Sequence, residues 1–200
     1  SPNNPTANAF GLETIEGIYT LFDGIVVVDE AYQDFSSKES ATALLSRFER
    51  LVVLRTLSKC WGLASARVGI AVSSKKIISL ITRMKYPYNV GGPSQALALE
   101  ALSRAEDVAE GRRAIIEERE RMREALLDIA CIQRVFPSDA NFLLVRVTDA
   151  QSLYRFLAGR GIIIRDRSSQ RHCAGCLRFT VGSREENERL LAALKEYCNG

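Results

Sequence analysis

The sequence predicts an α/β domain with a largely parallel sheet, followed by a small α+β domain. Two observations carry that expectation. Short β-branched runs alternate with segments of helical periodicity through the first half, the pattern of buried strands joined by helices. Behind a long charged helix, from Pro137 onward, the order changes to strand, helix, strand, strand, helix. We therefore expect residues 1–104 to form the first domain, and residues 105–200 to hold the linking helix and the second.

The elements follow in chain order. Leu12, Ile15, Ile18, Tyr19 and Phe22 recur at helical spacing, and Asp23-Gly24 ends that segment. Ile25–Val28 is a continuous β-branched run, the signature of a strand buried on both faces. Leu51–Leu54 and Val68–Val72 read as two more strands, and Ser74–Lys85 as an amphipathic helix. The Tyr86–Pro93 cluster is rich in turn residues and breaks the pattern. Ser94–Ser103 and Ala105–Ile129 read as helices, the second with five arginines and five glutamates between Glu110 and Glu124. Equal numbers of both signs describe a solvated helix face, with Glu117 and Arg121 at the i,i+4 spacing that supports it. Phe142–Val147 is a strand, Ala150–Gly159 a helix, Ile162–Ile164 and Cys176–Val181 strands, and Glu185–Cys198 a closing helix.

Composition narrows the function classes. With 46% hydrophobic and 26% charged residues the chain is an ordinary globular protein, not a collagen-like or disordered one. A net charge of +3 from 27 basic and 24 acidic residues gives no reason to expect nucleic acid or a membrane surface as a partner. Its apolar runs are far shorter than the about 20 residues a bilayer requires. Five scattered cysteines in a chain without a secretory start point to reduced thiols in the cytoplasm. The chain opens Ser1-Pro2-Asn3-Asn4-Pro5-Thr6 with no initiator methionine and reads as cut from something longer.

Three clusters stand at strand ends or turns, where open α/β sheets place their ligands. They are Asn4-Pro5-Thr6, Asp29-Glu30-Ala31-Tyr32, and Thr56-Leu57-Ser58-Lys59 with Arg67 eight residues further on. Separately each has an ordinary reading: a turn with a helix cap, a carboxylate capping the next segment, a solvated lysine. In this order and combination they resemble the class I/II aminotransferases, fold-type I enzymes that use pyridoxal phosphate. The resemblance runs through the whole chain but corresponds to the second half of such an enzyme. It implies a partial large domain, a small C-terminal α+β domain and a homodimeric cytoplasmic parent.

The residue types suit the roles that the resemblance implies. Lys59 is an amine able to condense with an aldehyde and afterwards to act as a base; Lys75 and Lys76 lack the surrounding pattern. A carboxylate such as Asp29 keeps a pyridine nitrogen protonated. Tyr32 and Asn4 would contact the ring oxygen. Arg67, with the hydroxyls of Thr56 and Ser58, would anchor the phosphate. The family usually has glycine after Asn-Pro-Thr; here Ala7 stands there, and since alanine disfavours positive φ an adjusted turn is expected.

The C-terminal block carries Ile162-Ile163-Ile164-Arg165-Asp166 and, thirteen residues beyond Arg165, Arg178 within Cys176–Asn187. It is most similar to the histidinol-phosphate aminotransferases. That implies Arg165 and Arg178 as the grip on anionic substrates, an amino donor and a 2-oxo acid, since a guanidinium offers parallel charge-assisted bonds. Related readings are another aminotransferase of the class, a threonine-phosphate decarboxylase, a non-catalytic binder of the cofactor, or an interaction module. His172-Cys173-Ala174-Gly175-Cys176 is half of a zinc pattern without its second half, so no metal is expected.

Overall fold

The computed structural model describes residues 1–199. They divide into two compact units, Ser1–Pro2 with Ala9–Glu110, and Asn3–Asn8 with the residues from Gly111 onward.

In the first unit, α1 (Leu12–Leu21) presents Leu12, Ile15 and Tyr19 at three- and four-residue spacing. These side chains pack on β1 (Val26–Asp29) and β2 (Leu51–Thr56) through Val26, Val28, Leu51 and Val53. Strand β1 pairs in parallel with β2, residue Asp29 lying opposite Leu54. Strand β3 (Gly69–Ser73) then pairs with β2 antiparallel, so the sheet is mixed rather than largely parallel. The connection explains the difference. Between β2 and β3 the chain makes only a 3₁₀ turn and closes on itself, with Leu57 N–H donating to Val68 O at 3.1 Å and Leu63 N–H to Leu57 O at 2.9 Å. A parallel return would need a crossover element. The expectation that β1 is buried on both faces is also corrected. Val26 and Val28 are buried, but Val27 is 54% exposed because α1 covers one face only. Helices α2 (Lys75–Met84), capped by the Ser74 hydroxyl, and α3 (Gly92–Ser103) follow, and α4 (Ala105–Leu127) begins here.

The second unit is a four-stranded antiparallel sheet with helices on one face. It contains β4 (Ile132–Val135), β5 (Phe142–Val147), α5 (Ala150–Gly159), β6 (Arg165–Asp166), β7 (Cys176–Thr180) and α6 (Arg184–Asn199). Strand order is β4-β5-β7-β6. Leu143, Val145, Leu177 and Phe179 point inward onto Met122 and Leu126 of α4, Leu153 and Leu157 of α5, and Leu190 and Leu194 of α6.

Four expectations need correction in this unit. The strand expected at Ile162–Ile164 begins only at Arg165, because Gly161 at φ 71° and the Ile162 N–H to Leu157 O bond (2.9 Å) close the end of α5 first. Strand β4 was not anticipated; Gln133 and Arg134 break its apolar pattern. Arg121 pairs with Glu118 at 2.8 Å rather than with Glu117. Finally, Cys131 and Cys198 form a disulfide instead of remaining reduced. Both residues flank the same core, which brings their Cα atoms to 5.5 Å, within bridging range. Cys60, Cys173 and Cys176 are the free thiols among the described residues. No helix among them is long and apolar enough to cross a membrane.

Candidate active site

Parallel pairing puts the carboxyl ends of β1 and β2 side by side, the place where α/β sheets bind ligands. Asp29 ends β1 and Thr56 ends β2, and the chain leaving β2 carries Ser58 and Lys59. The return into β3 brings Arg67 back beside them, since Thr56 pairs with Gly69. The result is a cleft of about 480 Å³ lined by Asp29, Thr56, Ser58, Lys59 and Arg67. Lys59 Nζ lies 5.3 Å from the centroid of the Tyr32 ring, so Tyr32 belongs to the same cluster. Six of the nine expected site residues therefore meet in the first unit.

Their local contacts define what each can offer. Thr56 Oγ1 accepts the Ser58 N–H at 3.1 Å and lies 2.9 Å from Ser58 Oγ, which sets two hydroxyls side by side. Arg67 holds a left-handed backbone (φ 55°), a conformation uncommon for non-glycine residues and frequent at binding sites. Its Nη1 donates to Ala64 O at 3.1 Å, and the side chain stays exposed. Asp29 Oδ1 accepts the Ala31 N–H at 3.0 Å, so the carboxylate also shapes its own turn.

One residue that the sequence reading passed over holds this loop. Glu30, next to Asp29, is 2% exposed. It accepts hydrogen bonds from the Ala41 N–H at 2.6 Å, the Ser40 hydroxyl at 2.7 Å and Arg55 Nη1 at 3.2 Å. Arg55 reaches Asp34 as well, at 2.5 Å. Asp29 and Glu30 point to opposite sides of the strand, one outward and one into this clamp. The alternation of a strand end was the available signal.

Asn4, Arg165 and Arg178 fall in the second unit. Arg165 and Arg178 are direct cross-strand partners on β6 and β7, which accounts for the thirteen-residue interval. Arg178 Nη1 donates to Asn4 Oδ1 at 3.0 Å, and its guanidinium stacks 4.7 Å from the Phe142 ring centroid. The Asn4 loop is closed by Asn3 N–H to Asn8 O (3.0 Å) and Ala7 N–H to Asn3 O (2.8 Å), while Ala7 O accepts from Asp139 N–H at 2.7 Å. Ala7 is wholly buried at φ 62°, so the turn keeps its positive φ and the expected adjustment does not occur. Three backbone bonds over-determine the strained residue.

Cys173 and Cys176 close a tight turn, with the Cys176 N–H bonded to Cys173 O at 2.9 Å and Gly175 at φ 69°. Burial pushes the Cys173 thiol up, Cys176 adds to that, and Arg146 opposes it. No group of three His, Cys, Asp or Glu side chains gathers as a metal site among the described residues.

Comparison with known proteins places this arrangement. The family description "Aminotransferase class I and II" matches residues 1–194. The histidinol-phosphate aminotransferase of Bacteroides thetaiotaomicron is 45% identical over 197 residues, which is 98% of this chain and 57% of that protein. Among solved structures, the histidinol-phosphate aminotransferase of Clostridium acetobutylicum superposes with a TM-score of 0.92 at 25% identity, covering 100% of this chain and 62% of that one. The Sinorhizobium meliloti histidinol-phosphate aminotransferase, solved in complex with pyridoxal 5'-phosphate, shares the fold with a TM-score of 0.87 at 24% identity, covering 100% and 56%. The chain thus spans little more than half the length of the relatives it matches.

Proposed function

The chain belongs to the class I and II aminotransferase family, and from that premise we propose that it is the later portion of an enzyme moving an amino group between L-histidinol phosphate and 2-oxoglutarate. The observation that carries this reading is the cleft at the ends of β1 and β2, where an amine, a carboxylate, two paired hydroxyls and an arginine face one space. That donor set fits pyridoxal phosphate: a cation and hydroxyls for a phosphate, a carboxylate for a ring nitrogen, an amine for an aldehyde. When bound, the cofactor supplies an aldehyde carbon and a ring that can hold electrons released at the substrate carbon.

The chain's own residues do the rest. Lys59 Nζ is the amine for the aldehyde and, once freed and neutral, carries a proton between neighbouring carbons. Asp29 keeps the ring nitrogen protonated. Tyr32 contacts the ring oxygen, a role the resemblance gives Asn4 as well. Arg67, Thr56 and Ser58 anchor the phosphate, the two hydroxyls already held 2.9 Å apart. Arg178, oriented by Asn4 and by stacking on Phe142, grips the anionic end of the substrate with Arg165. The 45% identity to a histidinol-phosphate aminotransferase supports the substrate pair. The cytoplasmic expectation loses its ground in reduced thiols, since Cys131 and Cys198 are bridged; we further infer a homodimeric parent and negligible turnover by these 200 residues alone.

The test is to incubate the chain with pyridoxal phosphate, reduce with borohydride and map the modified peptide by mass spectrometry. The adduct is expected on Lys59, and Lys59→Ala should lose it. Modification of Lys75 or Lys76 alone, or none at all, refutes the assignment of the amine. Amino transfer from glutamate by the full-length parent tests the substrate pair, and release of carbon dioxide from threonine phosphate would replace it with a decarboxylase. Robust transamination by the 200-residue chain would overturn the expectation that it is inactive alone.

A further inference from the structure

The outward face of the second unit's sheet carries more arginine than the proposed substrate grip uses. Residues directly opposite one another on antiparallel strands point to the same face. Arg134 of β4 lies opposite Arg146 of β5, and Arg146 opposite Cys176 of β7. On the far side of Cys176 the Arg167 N–H donates to Cys176 O at 2.9 Å, which continues the row. Two residues along, Leu144, Arg178 and Arg165 form the neighbouring row. The alternate residues Leu143, Val145 and Leu177 go into the core, so every arginine named here stands on the other face.

Among the described residues no carboxylate pairs with Arg134, Arg146, Arg165 or Arg167. Asp166, the carboxylate nearest in sequence, alternates to the other face opposite Leu177 and accepts the Ser168 N–H at 2.8 Å. Two donors of the row are both buried and without a hydrogen-bond partner, Arg146 Nε and Arg167 Nε. A buried polar atom left unpaired costs about 1–3 kcal/mol, so two on one cross-strand row call for an acceptor. The guanidiniums are also held ready. Arg134 and Arg146 both stack on Phe136, at 4.7 and 5.6 Å from its centroid. Stacking uses the flat face of a guanidinium and leaves its edge for hydrogen bonding; on Arg146, Nη2 donates to His172 O at 3.5 Å and Nε stays unpaired.

We propose that Arg146 and Arg167, flanking Cys176, form a binding site for a phosphate-sized tetrahedral oxyanion, distinct from the Arg165–Arg178 pair. Two guanidiniums approaching from strands about 10 Å apart suit an anion that accepts bonds from opposite sides. A flat carboxylate is satisfied by one fork. Arg134 adds charge to the rim of the site. The proposal stands on this face alone and does not depend on the transamination reading.

Titration of the 200-residue chain with inorganic phosphate, followed by calorimetry and phosphorus NMR, tests it. Saturable binding is expected, weakened roughly tenfold or more by Arg146→Gln or Arg167→Gln. Arg178→Gln should change the affinity by less than about threefold. Where a glutamine variant fails to fold, Arg146→Lys keeps the charge and the stem but not the fork, and must still weaken binding. Phenyl phosphate should compete; tighter binding than inorganic phosphate identifies an ester-borne group as the ligand, and equal binding the free ion. The proposal is overturned by absence of saturable binding, by equal competition from acetate, by unchanged affinity in Arg146→Lys, or by a loss confined to Arg165→Gln and Arg178→Gln.

Discussion

Replacing Cys131 and Cys198 by alanine opens a covalent loop whose ends are 67 residues apart in sequence. The loop contains β4, β5, α5, β6, β7 and nearly all of α6, which is most of the second unit. Chain entropy values such a cross-link between about 3 kcal/mol for a 15-residue loop and about 4.7 kcal/mol for a 100-residue one, so about 4 kcal/mol applies here. In native-state hydrogen exchange each 1.4 kcal/mol is a factor of ten. The most protected amides of β5 and β7 should therefore exchange on the order of a thousandfold faster in the double variant. Amides of β1 and β2, in the other unit, should change little. Exchange followed by mass spectrometry on wild type, reduced wild type and the double variant reads this peptide by peptide. Thiol titration of the denatured, unreduced wild type should find three thiols, those of Cys60, Cys173 and Cys176. Five titratable thiols, or protection in β5 and β7 altered by less than about threefold, would refute the reasoning.

Three further outcomes follow from single contacts. Ala7 is buried at φ 62°, so Ala7→Gly relieves about 1–2 kcal/mol of left-handed strain but gives up a methyl worth about 0.8 kcal/mol and adds backbone entropy; denaturation should place it near wild type. Ala7→Val, β-branched at the same φ, should cost roughly 2 kcal/mol or more, and equal stability of the two variants would show the turn to be free to change. Glu30→Ala leaves the buried Ala41 N–H without its acceptor and takes one of Arg55's two carboxylates, Asp34 remaining, and should destabilise the first unit by about 2 kcal/mol, read by the fluorescence of Trp61, the single tryptophan; a loss under about 0.5 kcal/mol would mean that the clamp does not hold the loop. Hydrogen bonding from Arg121 holds the Glu118 carboxyl below the usual 4.5, with Asn187 assisting and burial opposing. A lowered carboxylate stabilises the fold above its ordinary pKa and loses that contribution as pH falls through the folded value, so the melting-point gap between wild type and Glu118→Gln should shrink from pH ~6 to pH ~3; a gap constant with pH would refute it.

Much of the fold was legible because its signals are local. The span Phe142–Val147 and the helix Ala150–Gly159 match their apolar periodicity residue for residue, and the neighbouring runs at Ile25 and Leu51 do pair in one sheet. The candidate cleft was legible for a related reason. Its residues lie at or just beyond the ends of β1 and β2, with Arg67 just before β3, all strands that can be seen in the sequence, and strand ends in such sheets converge. What periodicity cannot convey is direction and partner. The antiparallel return of β3 follows from a short 3₁₀ connection closed by backbone bonds such as Leu57 N–H to Val68 O, and no run of apolar residues encodes those bonds.

The Ala7 turn shows the same limit from the opposite side. A residue-level rule says that alanine avoids positive φ, and the rule is correct as a statement of cost. The structure nevertheless keeps φ at 62°, because Ala7 O and Ala7 N–H are both engaged, the first by Asp139 and the second by Asn3. Moving the turn to relieve a strain of about 1–2 kcal/mol would leave buried backbone groups unpaired at a comparable or greater cost. It would also shift Asn4, which accepts the hydrogen bond that orients Arg178. A long-range contact between residues 174 apart in sequence thus bears on one backbone angle. The local penalty is tolerated where the loop it distorts also positions a side chain for the proposed chemistry.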